Sequence, residues 1–142
     1  MNVRVDPHSL VPPSQQLVAT VLDAIARGEL APGDRLPSVR GLAAEALVNP
    51  NTVAKAWRDL EHLGATEGRN GSGVFVTAEA PDVARGIRLA ETLADLRNAV
   101  RAALRAGHAA AVLEETLAAA TDDVKEKEGD RGNAATAARS KA

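Results

Sequence analysis

The sequence predicts a mainly helical protein that carries one small β-hairpin. Alanine, the strongest helix former, supplies 30 of the 142 residues. Larger apolar residues recur every three or four positions along most of the chain, which is the spacing of amphipathic helices. The glycine-rich segment GRNGSG lies between two segments typical of strands and indicates a hairpin. Because only 34 larger apolar side chains remain to form a core, we also expect oligomerisation.

Composition excludes several classes of protein. The absence of cysteine excludes disulfides, thiol catalysis and cysteine-ligated zinc. Trp57 and Phe75 are too few aromatic residues for a surface that stacks single-stranded nucleic acid. His8, His62 and His108 share no ligand spacing, so we expect no metal site. No Ser/His/Asp or paired-carboxylate arrangement is present in the sequence, and we expect no catalytic centre and no cofactor. No segment has the pattern of a membrane span or a signal peptide, which predicts a cytoplasmic protein.

An N-terminal arm and a first helix are predicted at the start of the chain. Residues 1–13 end in two prolines and are interpreted as a short arm. In the next segment apolar residues recur at helical spacing, with Ser14 as the expected N-cap and Gly28 as a left-handed end. The Pro-Gly pair at 32–33 suits the centre of a type II turn. Residues 35–37 then form at most a very short extended segment.

Two short helices separated by a tight break follow. The first runs from Ser38, its expected N-cap, to Leu47. The second is capped by Asn49, has Pro50 in its first turn and ends at Gly64. Such a pair is typical of a helix-turn-helix. The second helix carries polar side chains at its N-terminal end, which a recognition helix presents to base edges in the major groove.

A hairpin over residues 65–77 completes the predicted domain. A hairpin that directly follows a helix-turn-helix is a wing, so residues 14–79 are predicted to form a winged helix-turn-helix. Its glycines allow the backbone to approach a phosphate closely. Trp57 and Phe75 are both expected to pack in the core.

The C-terminal region is predicted to form a helical dimerisation hairpin. Residues 80–128 contain a long amphipathic helix, a break at Gly107 and a second helix. Residues 129–142 show no apolar periodicity and are predicted as a disordered tail. The apolar residues expected at the dimer interface are Ile87, Leu93, Leu96, Val100, Leu113 and Leu117.

Three blocks in order, PGDRLPSVRGLA, VNPNTVAKAWRDLEHLG and GRNGSGVFV, resemble the winged helix-turn-helix of GntR-family bacterial transcription regulators. The resemblance covers about half the chain, and VNPNTVAKA with the short tail resembles the YtrA subfamily. Members of that subfamily dimerise through two C-terminal helices. The resemblance implies a homodimeric repressor that binds double-stranded DNA at a palindromic operator, with transporter operons and the regulator's own gene as targets. Half-sites would lie about one helical turn apart.

The resemblance also implies DNA contacts at specific positions. These are Arg35 and Ser38 for phosphates, Arg40 on the first helix of the pair, Asn51, Thr52 and Lys55 on the recognition helix, and Arg69, Gly71, Ser72 and Gly73 at the wing tip. The sequence departs from the family pattern at three places. Gly41 replaces a glutamate that would complete a capping box, Ala65-Thr66 replaces an apolar pair, and Asn70 replaces a second basic residue.

Charge alone argues against nucleic-acid binding, because the net charge is −2. Residues 35–73, however, hold five basic and four acidic side chains. Arg97, Arg101 and Arg105 share one face of the long helix and are interpreted as a solvated face, with contact to flanking DNA as the alternative. Three functions stay open: a regulator that senses an unidentified small molecule, a regulator without an effector, and a protein-interaction module that has lost DNA binding.

Overall fold

The computed structural model describes the backbone of residues 1–139 and the side chains of residues 1–127. In chain order its elements are α1 (Pro13–Ala26), α2 (Val39–Ala46), α3 (Pro50–His62), β1 (Thr66–Arg69), β2 (Gly73–Val76), α4 (Ala80–Arg105) and α5 (Ala110–Arg139). The predicted fold class, mainly helical with a small β-wing, is confirmed. The chain divides into two compact units, Met1–Leu93 and Ala94–Ala142.

The core of the first unit forms where α1 and α2 pack against α3. The largest fully buried side chains are Leu17, Leu22, Ile25, Leu42, Leu60, Val21, Val53 and Val76. Trp57 is 4% exposed, as predicted, and its indole Nε1 donates a hydrogen bond to the Pro37 carbonyl at 3.3 Å. This bond satisfies the one polar atom that the buried ring brings into the core.

Side-chain caps begin both helices of the helix-turn-helix. Ser38 Oγ accepts a hydrogen bond from the Gly41 N–H at 3.1 Å, and Asn49 Oδ1 accepts one from the Asn51 N–H at 2.8 Å. Both predicted caps are confirmed, and the loss of the capping-box glutamate leaves the Ser38 cap intact.

The predicted cap of α1 is wrong. This helix begins at Pro13, Ser14 is buried, and the N-cap Pro12 makes no side-chain hydrogen bond. Instead the Gln15 and Gln16 N–H groups both donate to the Pro12 carbonyl. Proline at the first helical position favours this start because its missing N–H would have no helical partner.

The turn between α2 and α3 contains an unusual backbone conformation. Leu47 adopts φ +55 and ψ 46, the left-handed region, and it is the one non-glycine residue of the described chain with positive φ. Its side chain is 91% exposed. Left-handed backbone costs a residue with a Cβ roughly 1–2 kcal/mol. The tight break of the helix-turn-helix therefore comes at an energetic cost that glycine would avoid.

The wing is an antiparallel hairpin to which one further residue is joined. Thr66 pairs with Val76 and Glu67 pairs with Phe75 across the hairpin. Arg35 forms an isolated antiparallel bridge with Phe75, so residues 35–37 are extended only briefly, as predicted. Gly33 takes φ +89 in the turn before this bridge, closed by the Asp34 N–H donating to the Ala31 carbonyl at 3.0 Å.

The expectation that Phe75 packs in the core is wrong. Side chains alternate between the two faces of a strand, and Val76 with Thr66 occupies the buried face. Phe75 therefore lies on the opposite face, where it is half-buried. The Arg69 guanidinium covers its ring, with the Cζ atom 4.4 Å from the ring centroid.

The N-terminal arm packs against the core of the first unit, to which it belongs. Val3 is 3% exposed and belongs to the core. Gln16 holds the rest of the arm, since its Oε1 accepts from the Asp6 N–H at 2.9 Å and its Nε2 donates to the Asp6 and Val11 carbonyls at 3.0 and 2.8 Å. The sequence shows no periodicity in this segment, so the role of Val3 was not predicted.

The first turns of α4 are anchored on the same core. Ala80 and Ala84 are fully buried, and Val83 and Ile87 pack against the core cluster. Ile87, which was expected at the dimer interface, is thus half-buried within its own chain. The small alanines allow the helix backbone to approach closely, and Ile87 follows them one turn later.

The second unit contains the end of α4 and helix α5. Gly107, with φ +96, separates the two helices as predicted. Leu113 is half-buried, whereas Leu96, Val100 and Leu117 are 41%, 37% and 51% exposed. Helix α5 continues to Arg139 and so includes residues 129–139 of the segment that was predicted as a disordered tail. Alanine and arginine favour helix without apolar periodicity. Residues 140–142 lie outside the described part.

In the range that the structure describes, no helix is both long and apolar enough to span a lipid bilayer.

Candidate nucleic-acid interface

The N-terminal half of α3 presents the polar side chains that the sequence singles out. Asn51 and Lys55 are exposed and Thr52 is half-buried. Buried Val53, Ala56 and Trp57 hold the opposite face of the helix against the core. The helix is therefore fixed by its apolar face, while its first turns offer an amide, a hydroxyl and an ammonium group to solvent.

Lys55 is not a free cation in this structure. Its Nζ lies 2.7 Å from Asp59 Oδ2, one helical turn later. The two side chains are 56% and 39% exposed, so water weakens the pair. The sequence analysis did not identify this pair, although the i,i+4 spacing indicates it.

The N-terminus of α2 carries the second group of predicted contacts. Ser38 and Arg40 are exposed. The Ser38 hydroxyl oxygen accepts the cap hydrogen bond, which leaves its O–H free to donate. Arg40 has no ion-pair partner among the described residues. Free N–H groups at a helix start and an unpaired guanidinium both favour binding of an anion such as phosphate.

A third group of predicted contacts, Arg35 and Arg69, lies on the outer wing face, which we define by Arg35, Glu67, Arg69 and Phe75. The strand register places these side chains together, because Arg35 and Glu67 both pair with Phe75 and Arg69 is two residues from Glu67. Arg69 Nη2 lies 3.0 Å from Glu67 Oε1. Arg35 makes no ion pair within the described part of the chain. The Arg69 guanidinium thus covers the Phe75 ring, and the side chain of Arg35 passes over Gly73 on the same face.

Gly73 is required for the position of Arg35. It has φ +113, and a Cβ built at this residue would lie 2.6 Å from Arg35 Nε and 3.2 Å from Arg35 Cζ. The arginine side chain therefore crosses the strand directly over the glycine. At the wing tip, Gly71 and Ser72 are exposed, and the Ser72 N–H donates to the Arg69 carbonyl at 2.9 Å.

A shallow groove of about 430 Å³ adjoins the start of α3. It forms where the N-terminal arm approaches the helix-turn-helix turn, an arrangement that the sequence does not predict. Its lining is apolar apart from Asn49 and Thr52, and consists of Val5, Pro7, Pro13, Ala46, Leu47, Val48 and these two residues.

The described residues show no cluster of three histidine, aspartate or glutamate side chains that could hold a metal ion. All ten predicted contact residues lie at the surface, with Thr52 and Gly73 half-buried. The structure brings Arg35, Gly73 and Arg69 together on the wing. The arrangement offers hydrogen-bond donors and cations, which are the groups that recognise phosphates and base edges.

Known proteins share this architecture. The family model of bacterial regulatory proteins, gntR family, matches residues 13–76. The transcriptional repressor YtrA of Bacillus subtilis is 38% identical over 78 residues, which covers 55% of this chain and 60% of that relative. The matches to it and to two further curated relatives span 60%, 54% and 65% of their lengths, less than two thirds in each case.

Solved structures agree over more of the chain. YtrA from Sulfolobus acidocaldarius, a GntR-family transcription factor, is 32% identical with a TM-score of 0.53, covering 66% of this chain and 99% of that chain. A GntR family transcriptional regulator from Listeria monocytogenes is 25% identical with a TM-score of 0.61, covering 83% and 98%. This chain therefore belongs to the gntR family of bacterial regulatory proteins and is similar to its YtrA members.

Proposed function

We propose that this protein is a homodimeric transcriptional repressor that binds a palindromic operator in double-stranded DNA. The proteins to which it is similar are transcription regulators and not enzymes. One observation carries the proposal: the recognition helix α3 holds its polar N-terminal turns at the surface while its apolar face is locked in the core. That geometry suits insertion into the major groove.

The side chains suit the chemistry of base and phosphate recognition. Asn51 can pair with an adenine edge, and Lys55 can donate to guanine or to a phosphate. Arg40 and Ser38 lie at the start of α2, where they would contact the phosphate backbone. Arg35 and Arg69 on the outer wing face would contact a neighbouring phosphate, and Gly71, Ser72 and Gly73 would let the wing tip approach it.

Apolar side chains that are exposed in the described part of the chain support dimerisation. Leu93, Leu96, Val100 and Leu117 are 37–51% exposed, and Leu113 is half-buried. A second copy would cover these residues and place two recognition helices on one duplex, an arrangement that would favour a palindromic operator. Each protein chain offers few cations to its half-site, so joining two chains in a dimer adds greatly to the affinity for DNA.

Repression would result when the dimer occludes a promoter in the cytoplasm. The similarity to a protein named as the transcriptional repressor YtrA supports this role. We propose a transporter operon and the regulator's own gene as targets.

Selection from a random library of double-stranded DNA tests the proposal without knowledge of the operator. The full chain is expected to enrich an inverted repeat with half-sites about one helical turn apart, and its affinity should fall steeply with added salt. Enrichment of no sequence, together with salt-independent binding, would contradict DNA recognition and favour a protein-interaction module.

The dimer is tested in the same preparation by sedimentation velocity. Leu96→Glu places a charge among the proposed interface residues and should yield a monomer, whereas Asn98→Glu, an exposed polar position two residues away, should leave a dimer. If both variants sediment as the wild type does, the α4 residues are not the dimerisation surface.

A further inference from the structure

One ion pair in the first unit joins α1 to α4. Arg88 Nε lies 2.7 Å from Asp23 Oδ1, and its Nη2 lies 3.5 Å from Asp23 Oδ2. The third guanidinium nitrogen, Nη1, lies 2.6 Å from Glu91 Oε2 on α4 itself. The Arg88 side chain is 19% exposed, so its guanidinium lies between two carboxylates and is partly shielded from water.

This ion pair differs in kind from the others of the described chain. Arg27–Glu29, Lys55–Asp59, Arg69–Glu67 and Arg88–Glu91 all join residues within four positions of each other, whereas Asp23 and Arg88 are 65 residues apart. The hydrogen bond from Arg88 to Asp23 raises the pKa of the guanidinium more than partial burial lowers it. Arg88 therefore stays charged and can hold its ion pair with Asp23.

The position of the pair marks where α4 leaves the winged helix-turn-helix. Ala80 and Ala84 are buried in the core and Ile87 packs against it, but residues 89–93 are all exposed. The core contacts made by these three residues and by Val83 are apolar and have no directional preference. The Arg88 fork adds a directional contact at the last anchored turn, so it resists rotation of α4 about its axis.

Helix α4 also contains the residues proposed to form the dimer. It is one continuous helix from Ala80 to Arg105, which contains both Arg88 and Leu96. Resting on the proposed function, we propose that Asp23 and Arg88 are a positioning pair that sets the half-site spacing the dimer recognises. Neither residue contacts DNA. Both act through the orientation in which α4 leaves the winged helix-turn-helix.

A spacing series tests this role with the full-length protein. The selected operator is remade with its centre lengthened or shortened by one and two base pairs, and the Kd for each duplex is measured by fluorescence anisotropy. The wild type should bind the original spacing much more tightly than the altered ones. In Arg88→Met, which keeps the apolar stem of the side chain, the ratio between spacings should shrink by about tenfold.

Two companion variants make the result specific. Asp23→Ala should reduce the ratio as Arg88→Met does, and the double variant should add little, because both changes break one contact. Glu91→Gln is the control, since it removes a charge beside Arg88 but leaves Asp23 in place, and its ratio should match the wild type. If Arg88→Met fails to fold, Arg88→Lys replaces it, because lysine keeps the charge and loses the fork.

The outcomes separate the two proposals. A wild type that binds with a clear spacing preference, beside an Arg88→Met variant that loses affinity equally for every spacing, would overturn the positioning role alone. A wild type without operator binding would overturn the proposed function and the positioning role together. Thermal unfolding and sedimentation of each variant establish that the compared proteins are folded dimers.

Discussion

Lys55 Nζ lies 2.7 Å from Asp59 Oδ2, so a cation proposed to contact DNA is paired with a carboxylate of its own helix. Arg69 is paired in the same way with Glu67 on the wing. Both pairs are exposed, and such pairs contribute only a few tenths of a kcal/mol. DNA can therefore displace the carboxylates at small cost, but the negative charges stay close to the phosphates.

Asp59→Asn is expected to raise the affinity for double-stranded DNA several-fold at low salt, because it frees Lys55 and removes a repulsive charge. The gain should shrink as salt is added. Glu29→Gln is the matched control, since Glu29 is paired with Arg27 outside the candidate interface. An equal gain in both variants would show that net charge, and not the Lys55 pair, limits binding.

Gly73→Ala should disturb the wing through Arg35. The new Cβ would lie 2.6 Å from Arg35 Nε, in a backbone region that already disfavours a side chain. Gly71→Ala provides the comparison, because Gly71 also has positive φ but a Cβ there would meet nothing within 4 Å. We expect Gly73→Ala to weaken DNA binding more than Gly71→Ala at similar thermal stability. Equal affinities would remove Arg35 from the interface.

Thr66→Val should stabilise the protein by about 1 kcal/mol, measured as a higher midpoint of urea unfolding. Thr66 is 4% exposed, and its hydroxyl is the one buried side-chain polar atom of the described residues without a hydrogen-bond partner. Valine has nearly the same shape. Thr77→Val is the control and should destabilise, because Thr77 Oγ1 donates to the Gly64 carbonyl at 2.6 Å. Destabilisation by both changes would mean that the Thr66 hydroxyl is satisfied.

Leu47→Gly should be more stable than Leu47→Ala by about 1 kcal/mol in thermal or urea unfolding. Both variants lose the exposed leucine side chain, so they differ only in the Cβ that the left-handed backbone disfavours. Equal stability of the two would show that the turn adapts its backbone to the residue it holds.

Local features of the fold were predictable from the sequence. The caps at Ser38 and Asn49, the left-handed end at Gly28 and the break at Gly107 depend on residues within a few positions of each other. Features that depend on distant residues were not. Burial of Val3 and the Asp23–Arg88 pair require the assembled core, and neither leaves a periodic signal.

Two side chains show the same limit within single elements. Phe75 was expected in the core because it is aromatic, but the register of the hairpin puts Val76 there instead. Ile87 was expected at the dimer interface because it continues the apolar spacing of α4, but that helix starts on the core and buries its first turns. Hydrophobic spacing predicts which face is apolar and not what covers it.

Arg40→Ala and Lys55→Ala, measured against the selected operator by fluorescence anisotropy, test the central claim most directly. Both residues are exposed, so their removal should leave folding intact. Each change should raise the Kd by at least about tenfold and lower the dependence of binding on salt, because each removes a cation from the DNA contact. Arg27→Ala, which removes an exposed arginine at the end of α1, should bind as the wild type does. Wild-type affinity for both Arg40→Ala and Lys55→Ala would contradict the assignment of α2 and α3 as the DNA-reading surface.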